Sequence, residues 1–132
     1  MPYITPSKEQ IQELMGYPDD HPIFMINLLK FKERVEDVDK SGEEVYREYG
    51  EKVFPILQKV GGEVIWQGQM QLTVIGSKDD IFWDELIVVR YPGRKNFFAL
   101  FQDPAYPGSL RSKSLDDSRL ILSKEMYSIH KA

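Results

Sequence analysis

Hydrophobic residues near the start of the chain change from the spacing of a helix to that of a strand. Residues Lys8–Met15 place apolar side chains on one helical face, and Ser7 with Gln10 three residues later forms the pattern of a capping box. The run Ile23–Phe31 is short and almost entirely apolar, which favours a strand buried on both faces. We therefore predict a short N-terminal helix followed by the first strand of a sheet.

The middle of the chain predicts a second helix and a second strand. Apolar residues recur at helical spacing over residues 45–60, and Pro55 predicts a kink near residues 51–52 because proline lacks a donor and clashes one turn back. Over residues 63–75, apolar side chains fall on alternate positions, which is the spacing of a strand. Gly68 is expected to bend or bulge that strand.

The last part of the chain completes the pattern. Residues 76–80 form a turn, and the run 82–91 predicts a third strand that pairs with the second as a hairpin. Residues 96–102 predict a short apolar helix, residues 110–115 a helical turn, and residues 119–129 the last strand. The main elements therefore follow the order βαββαβ.

This order predicts an α+β domain of ferredoxin-like topology, with both main helices on one face of an antiparallel sheet. Because the strands are apolar on both sides, the bare face is expected to be buried against a second copy of the chain. We predict a homodimer whose paired sheets form a dimeric α/β barrel. No repeat, low-complexity tract or linker interrupts the sequence, so a single domain with an N-terminal helical extension is expected over residues 1–132.

Composition and charge narrow the possible partners. The chain has 21 acidic and 17 basic residues spread along its length, a formal net charge of −4, which argues against a nucleic-acid partner. It has no cysteine, which excludes disulfides, thiolate nucleophiles and iron–sulfur clusters. The N-terminus lacks the pattern of a signal peptide, and Asn27 and Lys30 interrupt the longest apolar run. We therefore expect no membrane span and a cytoplasmic location.

One set of short runs between residues 25 and 122 forms a recognisable pattern: Tyr49, Val53 to Leu57, Gly61 to Val64, Gly68, Val89 to Arg94, Phe97, Asp103 to Tyr106, Arg111 and Asp117 to Leu120. This pattern resembles the uncharacterised family numbered DUF thirteen-thirty. The resemblance implies membership of the dimeric α/β-barrel superfamily, in agreement with the element order. That superfamily includes cofactor-independent monooxygenases, muconolactone-type isomerases, haem-handling proteins and stress-responsive barrels, so the resemblance implies a fold and no particular chemistry.

Two polar residues interrupt apolar strands and are candidate ligand-binding groups. Asn27 carries an amide that must find partners if buried, so it either contacts a ligand in the barrel cleft or satisfies a neighbouring group. Arg90 ends the run from Leu86 to Val89, where its guanidinium either recognises a carboxylate or extends into solvent. The structural alternative is favoured for both residues.

Aromatic residues supply further candidates for a pocket that takes a planar ligand. Tyr49 lies on the buried stripe of the second helix, and Tyr46 lies beside that stripe, where its hydroxyl is free to turn toward the cleft. Trp66 belongs to the same candidate pocket, although most of the aromatic residues are expected in the core. Arg111 follows a loop that brings its charge over the pocket mouth, with a surface arginine as the alternative.

Metal and cofactor motifs are absent. The chain has two histidines, His21 and His130, as candidate bases, and neither has a second histidine or carboxylate at the helical spacing of a metal site. The sequence carries no phosphate loop, dinucleotide glycine fingerprint, serine elbow or paired-histidine zinc helix. We predict no metal and no cofactor.

These observations favour a small-molecule-binding dimeric barrel, and the sequence leaves two alternatives open. One is a cofactor-independent monooxygenase or isomerase acting on a small aromatic or carbonyl compound. The other is a structural dimer without a ligand. In the enzyme alternative, the substrate is oriented by Asn27, Tyr49, Trp66, Arg90 and Arg111.

Overall fold

A computed structural model describes residues 2–80 and 83–129 of the chain. Within these residues, no helix is both long and apolar enough to cross a membrane. The elements, in chain order, are α1 Lys8–Met15, β1 Ile23–Phe31, α2 Gly42–Lys59, β2 Glu63–Gln69, β3 Glu85–Tyr91, α3 Arg94–Gln102, α4 Gly108–Ser114 and β4 Leu115–Ser123.

The four strands form one antiparallel sheet in the order β2-β3-β1-β4. The central strand β1 pairs on one side with β3, where Asn27 lies opposite Ile87, and on the other side with β4, where Asn27 lies opposite Leu120. The βαββαβ order with β3 inserted between β1 and β2 is the ferredoxin-like arrangement. The predicted α+β class, antiparallel sheet and element order are confirmed, and β2 and β4 form the two edges of the sheet.

Capping hydrogen bonds determine where α1 and α2 begin. Ser41 and Glu44 form a capping box at the start of α2, and Ser7 and Gln10 form the predicted one at the start of α1. α2 thus begins three residues before the predicted helix, and it continues through Pro55 as one helix. The predicted kink at this proline stays a prediction.

The second strand is shorter than its alternating pattern predicts. β2 ends at Gln69 rather than at residue 75, and one further bond, from the Met70 N–H to the Asp84 carbonyl, closes the ladder. Residues 72–75 have no strand beside them, and Ile75 is 95% exposed. The alternating apolar pattern therefore continues past the last residue of β2 that pairs with β3, and the predicted strand was too long for this reason. β3 begins at Glu85, and the predicted start at residue 82 lies outside the described residues.

The irregularity predicted at Gly68 lies three residues earlier. The pairing of β2 with β3 shifts between Val64 and Trp66, whereas Gly68 stays in the ladder opposite Leu86. Gly68 instead makes room for a neighbouring side chain, since a Cβ atom there would lie 2.0 Å from the Trp66 ring. The prediction of a bulge at Gly68 was wrong because the glycine accommodates a side chain rather than a backbone irregularity.

The last strand begins earlier than predicted. β4 covers Leu115–Ser123 instead of residues 119–129, and α4 replaces the shorter helical turn expected before it. The first half of β4 carries buried polar side chains, so a search for apolar residues does not identify it as a strand. Asp117 accepts the Tyr3 N–H at 2.8 Å, and the Ser118 hydroxyl donates to the Tyr3 carbonyl at 2.6 Å. Hydrogen bonds thus allow these side chains to be buried.

The two faces of the sheet have different surroundings. We call the side of β1 that carries Ile23 and Met25 the helix face, because these residues pack against buried residues of α2 and α3. Leu29 on the same face joins a second buried cluster with Tyr46 and Tyr49 of α2. The alternate residues of β1, Phe24 to Lys30, are only half-buried and lie on what we call the open face.

Gly42 forms the junction at which α2, β1 and α4 meet. Its N–H donates to the Lys32 carbonyl at 2.8 Å, and the Lys32 N–H donates to the Ser114 carbonyl at 2.9 Å. A Cβ atom on Gly42 would lie 2.4 to 2.5 Å from backbone atoms of both neighbours. This close approach fixes α4 against the first turn of α2.

Candidate functional site

A cavity of about 1860 Å³ lies between the helix face and the helices. It exceeds the roughly 300–1,000 Å³ of a typical small-molecule site because it is a groove that opens to solvent. Residues 3–6 and α1 form one wall, and α1 buries none of its own residues. The sheet side of the groove is mainly apolar, with Met25, Ile87, Val89, Leu120 and Leu122.

Six tyrosines line this cavity, and we call the four that lie farthest from solvent the tyrosine cluster: Tyr46 and Tyr49 of α2, Tyr91 of β3, and Tyr106. The rings of Tyr46 and Tyr49 lie 5.2 Å apart, and those of Tyr49 and Tyr106 lie 6.0 Å apart at a right angle. The hydroxyls of Tyr49 and Tyr106 are hydrogen-bonded at 2.9 Å. The cluster is therefore a connected aromatic wall.

Burial raises the pKa of every tyrosine in the cluster. It raises the pKa of Tyr46 to about 12, and it raises the pKa values of Tyr49 and Tyr91 further. The pKa of Tyr106 is also raised, again mainly by burial. The positive charge of Arg111 acts in the opposite direction on the pKa of all four. At neutral pH the four hydroxyls keep their protons, so they act as hydrogen-bond donors rather than as bases.

The hydroxyls of the cluster differ in their partners. Tyr49 and Tyr106 satisfy each other. Tyr46 is only 6% exposed, and no described residue forms a hydrogen bond with its hydroxyl. The hydroxyl oxygen itself is not enclosed, because among the described residues the one fully buried side-chain polar atom without a partner is His21 Nε2. The Tyr46 hydroxyl therefore opens onto the groove that the side chain lines.

Arg111 and Asn27 bring further polar groups to the groove. Arg111 of α4 donates from Nη1 to the Ile4 carbonyl at 2.9 Å and forms no ion pair with any described residue. Asn27 donates from Nδ2 to the Ile87 carbonyl at 3.3 Å and to the Met25 carbonyl at 3.4 Å, which are long hydrogen bonds. Its amide is thus held loosely on the sheet floor.

An ion pair joins Arg47, which lines the cavity and is partly exposed, to the buried carboxylate of Glu85. Arg47 donates from Nη2 and Nη1 to the Glu85 carboxylate at 2.5 and 3.2 Å, and Gln67 donates to the same carboxylate at 3.0 Å. The hydrogen bond to Glu85 is the main reason that the pKa of Arg47 is raised. The sequence interpretation missed this pair, although an acidic residue at the start of an apolar strand was a visible signal.

The structure separates the six predicted site residues into two groups. Asn27, Tyr46, Tyr49 and Arg111 line the cavity. Trp66 lies opposite Val88 and Arg90 lies opposite Phe24, so both belong to the open face. Arg90 forms an ion pair there with Glu63 at 3.2 Å, and Trp66 covers Gly68. Within one chain, the sheet lies between the two groups.

His21 does not join the cavity lining. His21 lies beside a smaller pocket of about 250 Å³, where its Nδ1 contacts Asp20 Oδ1 at 2.8 Å. His130 lies outside the described residues. Across residues 2–80 and 83–129, no group of three or more His, Asp or Glu side chains is placed to hold a metal ion.

Comparison with known proteins finds solved structures with the same fold. The chain is similar to a protein of unknown function, RPA0582 from Rhodopseudomonas palustris, with 31% identity, a TM-score of 0.88, and coverage of 97% of this chain and 100% of that one. The methylated form of RPA0582 gives 31% identity, a TM-score of 0.87, and coverage of 98% of both chains.

No family model and no curated protein matches the chain. Membership of the DUF thirteen-thirty family, which the residues resemble, is therefore not confirmed. What the comparisons support is a relationship to uncharacterised proteins of the same fold.

Proposed function

We propose that this chain, which belongs to the family of the Rhodopseudomonas palustris protein RPA0582, binds a small, largely apolar molecule. The binding site is the cavity between the helix face of the sheet and the helices. The observation that carries the proposal is the convergence of polar groups from three elements on one apolar groove. Asn27 comes from β1, Tyr46 from α2 and Arg111 from α4. An apolar cavity with a few converging polar groups is the usual form of a ligand site.

The protonated tyrosine cluster favours binding over general-base chemistry. Burial keeps the hydroxyl protons in place at neutral pH, so these side chains orient a ligand by donation and do not abstract protons. The Tyr49–Tyr106 hydrogen bond holds two of the rings in a fixed position. A rigid aromatic wall suits a planar or compact apolar body.

The first test uses the neutral dye N-phenyl-1-naphthylamine, whose fluorescence rises in apolar surroundings. Val64 lines the cavity from β2, whereas the adjacent residue Ile65 contacts the smaller pocket instead. We expect Val64→Trp to fill part of the groove and weaken dye binding about tenfold, and Ile65→Trp to leave it unchanged. If the wild-type protein does not bind the dye, or if both variants bind it equally, the proposed cavity is not a binding site.

We also propose that two copies pair through their open faces to form a dimeric barrel. Trp66 and Ile121 on this face are 53% and 52% exposed, and Phe24, Ile26 and Val88 between them are half-buried. Contiguous exposed apolar surface of this kind is typical of an interaction site.

A second copy is the partner that this face suits best. The cations of this face are paired within the chain, Arg90 with Glu63 and Lys30 with Asp84, so they are not free to bind an acidic partner. A two-fold pairing places the same apolar patch against itself. In this arrangement Trp66 and Arg90 belong to the interface rather than to the ligand site.

Light scattering after size-exclusion chromatography tests the dimer. We expect a mass about twice the 15.4 kDa of one chain. Trp66→Glu should give a monomer because it places a charge in the apolar patch. Met15→Glu, at an exposed apolar residue of α1, is the matched control and should remain dimeric. A monomeric wild-type protein would show that the open face has another role.

A further inference from the structure

Three arginines line the cavity, and two of them are paired with carboxylates of the chain. Arg47 pairs with the buried Glu85 and also contacts Glu43 at 3.3 Å. Arg119 contacts Asp117 at 2.7 Å. Arg111 has no carboxylate partner among the described residues, and a single backbone carbonyl occupies one of its five donors. One cation of the lining is therefore left uncompensated.

The remaining carboxylates of the lining do not supply the missing partner. Glu13 and Glu51 are exposed residues, and neither forms an ion pair with a described residue. Solvent screens charges in such positions. Arg111 is half-buried against an apolar groove, where an opposite charge interacts with it more strongly than in water.

A second donor without a described partner lines the same groove, and it lies near enough for the charge of Arg111 to act on the pKa of Tyr46. The Tyr46 side chain is more than nine-tenths buried, lines the groove, and has a hydroxyl that no described residue engages. Tyr46 belongs to α2 and Arg111 to α4, and the Gly42 junction fixes these two helices against each other. The two donors thus lie on a rigid part of the fold.

Resting on the proposed function, we propose that the ligand is an organic acid whose carboxylate is bound by Arg111 and Tyr46 while its apolar body occupies the groove. A guanidinium presents paired donors that match the two oxygens of a carboxylate. A single unpaired cation balances a singly charged carboxylate and leaves a dianionic phosphate only partly neutralised. The aromatic wall and the apolar sheet floor accommodate the rest of the molecule.

Calorimetric titration at pH 7 with 2-naphthoate and with its neutral isostere 2-naphthamide tests this proposal. We expect wild-type protein to bind the acid at least tenfold more tightly than the amide, since hydrogen bonds to charged groups are the stronger kind. Arg111→Gln should abolish this preference by weakening only the acid. Arg111→Lys, which keeps the charge without the paired donors, should retain part of it.

Tyr46→Phe separates a binding role from a structural one. The hydroxyl has no hydrogen-bond partner within residues 2–80 and 83–129, so its removal should leave the free energy of unfolding unchanged or slightly higher. The same variant should bind 2-naphthoate about two- to tenfold more weakly, because one donated hydrogen bond is lost. Arg34→Gln is the control for charge removal, since Arg34 is exposed and pairs with Asp39 outside the cavity.

The outcomes distinguish the two proposals. If the acid and the amide bind equally, or if Arg111→Gln weakens both to the same extent, the cavity binds ligands but the organic-acid proposal is overturned. If neither compound nor the neutral dye binds, the proposed binding function itself is wrong. A preference for the acid that Arg34→Gln also removes would show that net charge, rather than Arg111, attracts the anion.

Discussion

Replacing Gly42 with alanine tests how closely α2, β1 and α4 are packed at their junction. The added Cβ would lie 2.4 Å from the Lys32 carbonyl oxygen and 2.5 Å from the Ser114 carbonyl oxygen, whereas ordinary contact begins near 3.4 Å. Both opposing atoms belong to the backbone, so a change of side-chain rotamer cannot relieve the overlap. The end of β1 and the end of α4 must move away from α2 instead.

The expected cost follows from this geometry. Overpacking a close contact costs about 1–3 kcal/mol. The required movement also weakens the two hydrogen bonds of the junction, Gly42 to Lys32 and Lys32 to Ser114, at about 1 kcal/mol each. We therefore expect Gly42→Ala to lower the free energy of unfolding by about 3–5 kcal/mol.

Gly50→Ala is a matched control in the same helix. A Cβ at Gly50 meets nothing within 4 Å, and alanine is favoured over glycine inside a helix by about 0.8–1 kcal/mol. Urea unfolding followed by circular dichroism should move the midpoint down for Gly42→Ala and up for Gly50→Ala, with unchanged slopes. If Gly42→Ala lies within 1 kcal/mol of the wild type, the junction is more compliant than its distances indicate.

Three further predictions concern the polar groups of the cavity. Tyr49→Phe should lower stability by about 1 kcal/mol by leaving the Tyr106 hydroxyl unpaired, and the double Phe variant should recover part of the loss. Arg47→Ala should cost about 1–2 kcal/mol because it leaves the buried Glu85 carboxylate without its cation, a loss reduced by the partial exposure of Arg47 and by the remaining hydrogen bond from Gln67. Glu43→Ala, at an exposed residue, should cost less than 0.5 kcal/mol. The pKa of Tyr46 is about 12 in the folded chain and near 10 in the unfolded chain. The free energy of unfolding should therefore fall by up to about 2–3 kcal/mol as pH rises from 10 to 12, because the unfolded chain loses the proton first. Tyr46→Phe should lessen that fall.

Equilibrium unfolding of each variant decides these predictions. Equal stability of Tyr49→Phe and wild type would mean that the hydroxyl pair adds nothing. Equal effects of Arg47→Ala and Glu43→Ala would mean that water reaches the buried carboxylate freely. Parallel loss of stability in Tyr46→Phe and wild type between pH 10 and pH 12 would assign the alkaline transition to other groups.

Elements whose signals are local were predicted closely from the sequence. β1 has the predicted bounds because it is almost entirely apolar and lies at the centre of the sheet. α1 also has the predicted bounds because its capping residues are adjacent in sequence. β4 was displaced because Asp117 and Ser118 are buried by hydrogen bonds to Tyr3, a contact across 114 and 115 residues that no local pattern contains.

The assignment of residues to the two sheet faces could not be made from the sequence. Both faces of the strands are apolar, so alternation alone does not show which side meets the helices. The shift in pairing between Val64 and Trp66 changes which residues of β2 share a face. Asn27 and Tyr46 were therefore predicted in the same pocket as Trp66, although the sheet lies between them.

The hydroxyl of Tyr46, which forms no hydrogen bond with a described residue, connects the packing of this cavity with the ligand binding that we propose for it. A phenylalanine would fill the same space without a polar group to satisfy, so the hydroxyl adds nothing to the core around it. Within the open groove, solvent is available to the hydroxyl in the free protein. A carboxylate at this position accepts a charge-assisted hydrogen bond and is balanced by Arg111, which water cannot do. Exchange of solvent for a carboxylate therefore strengthens the interactions of both groups, and it gives an otherwise unpaired donor and an otherwise unpaired cation one common partner.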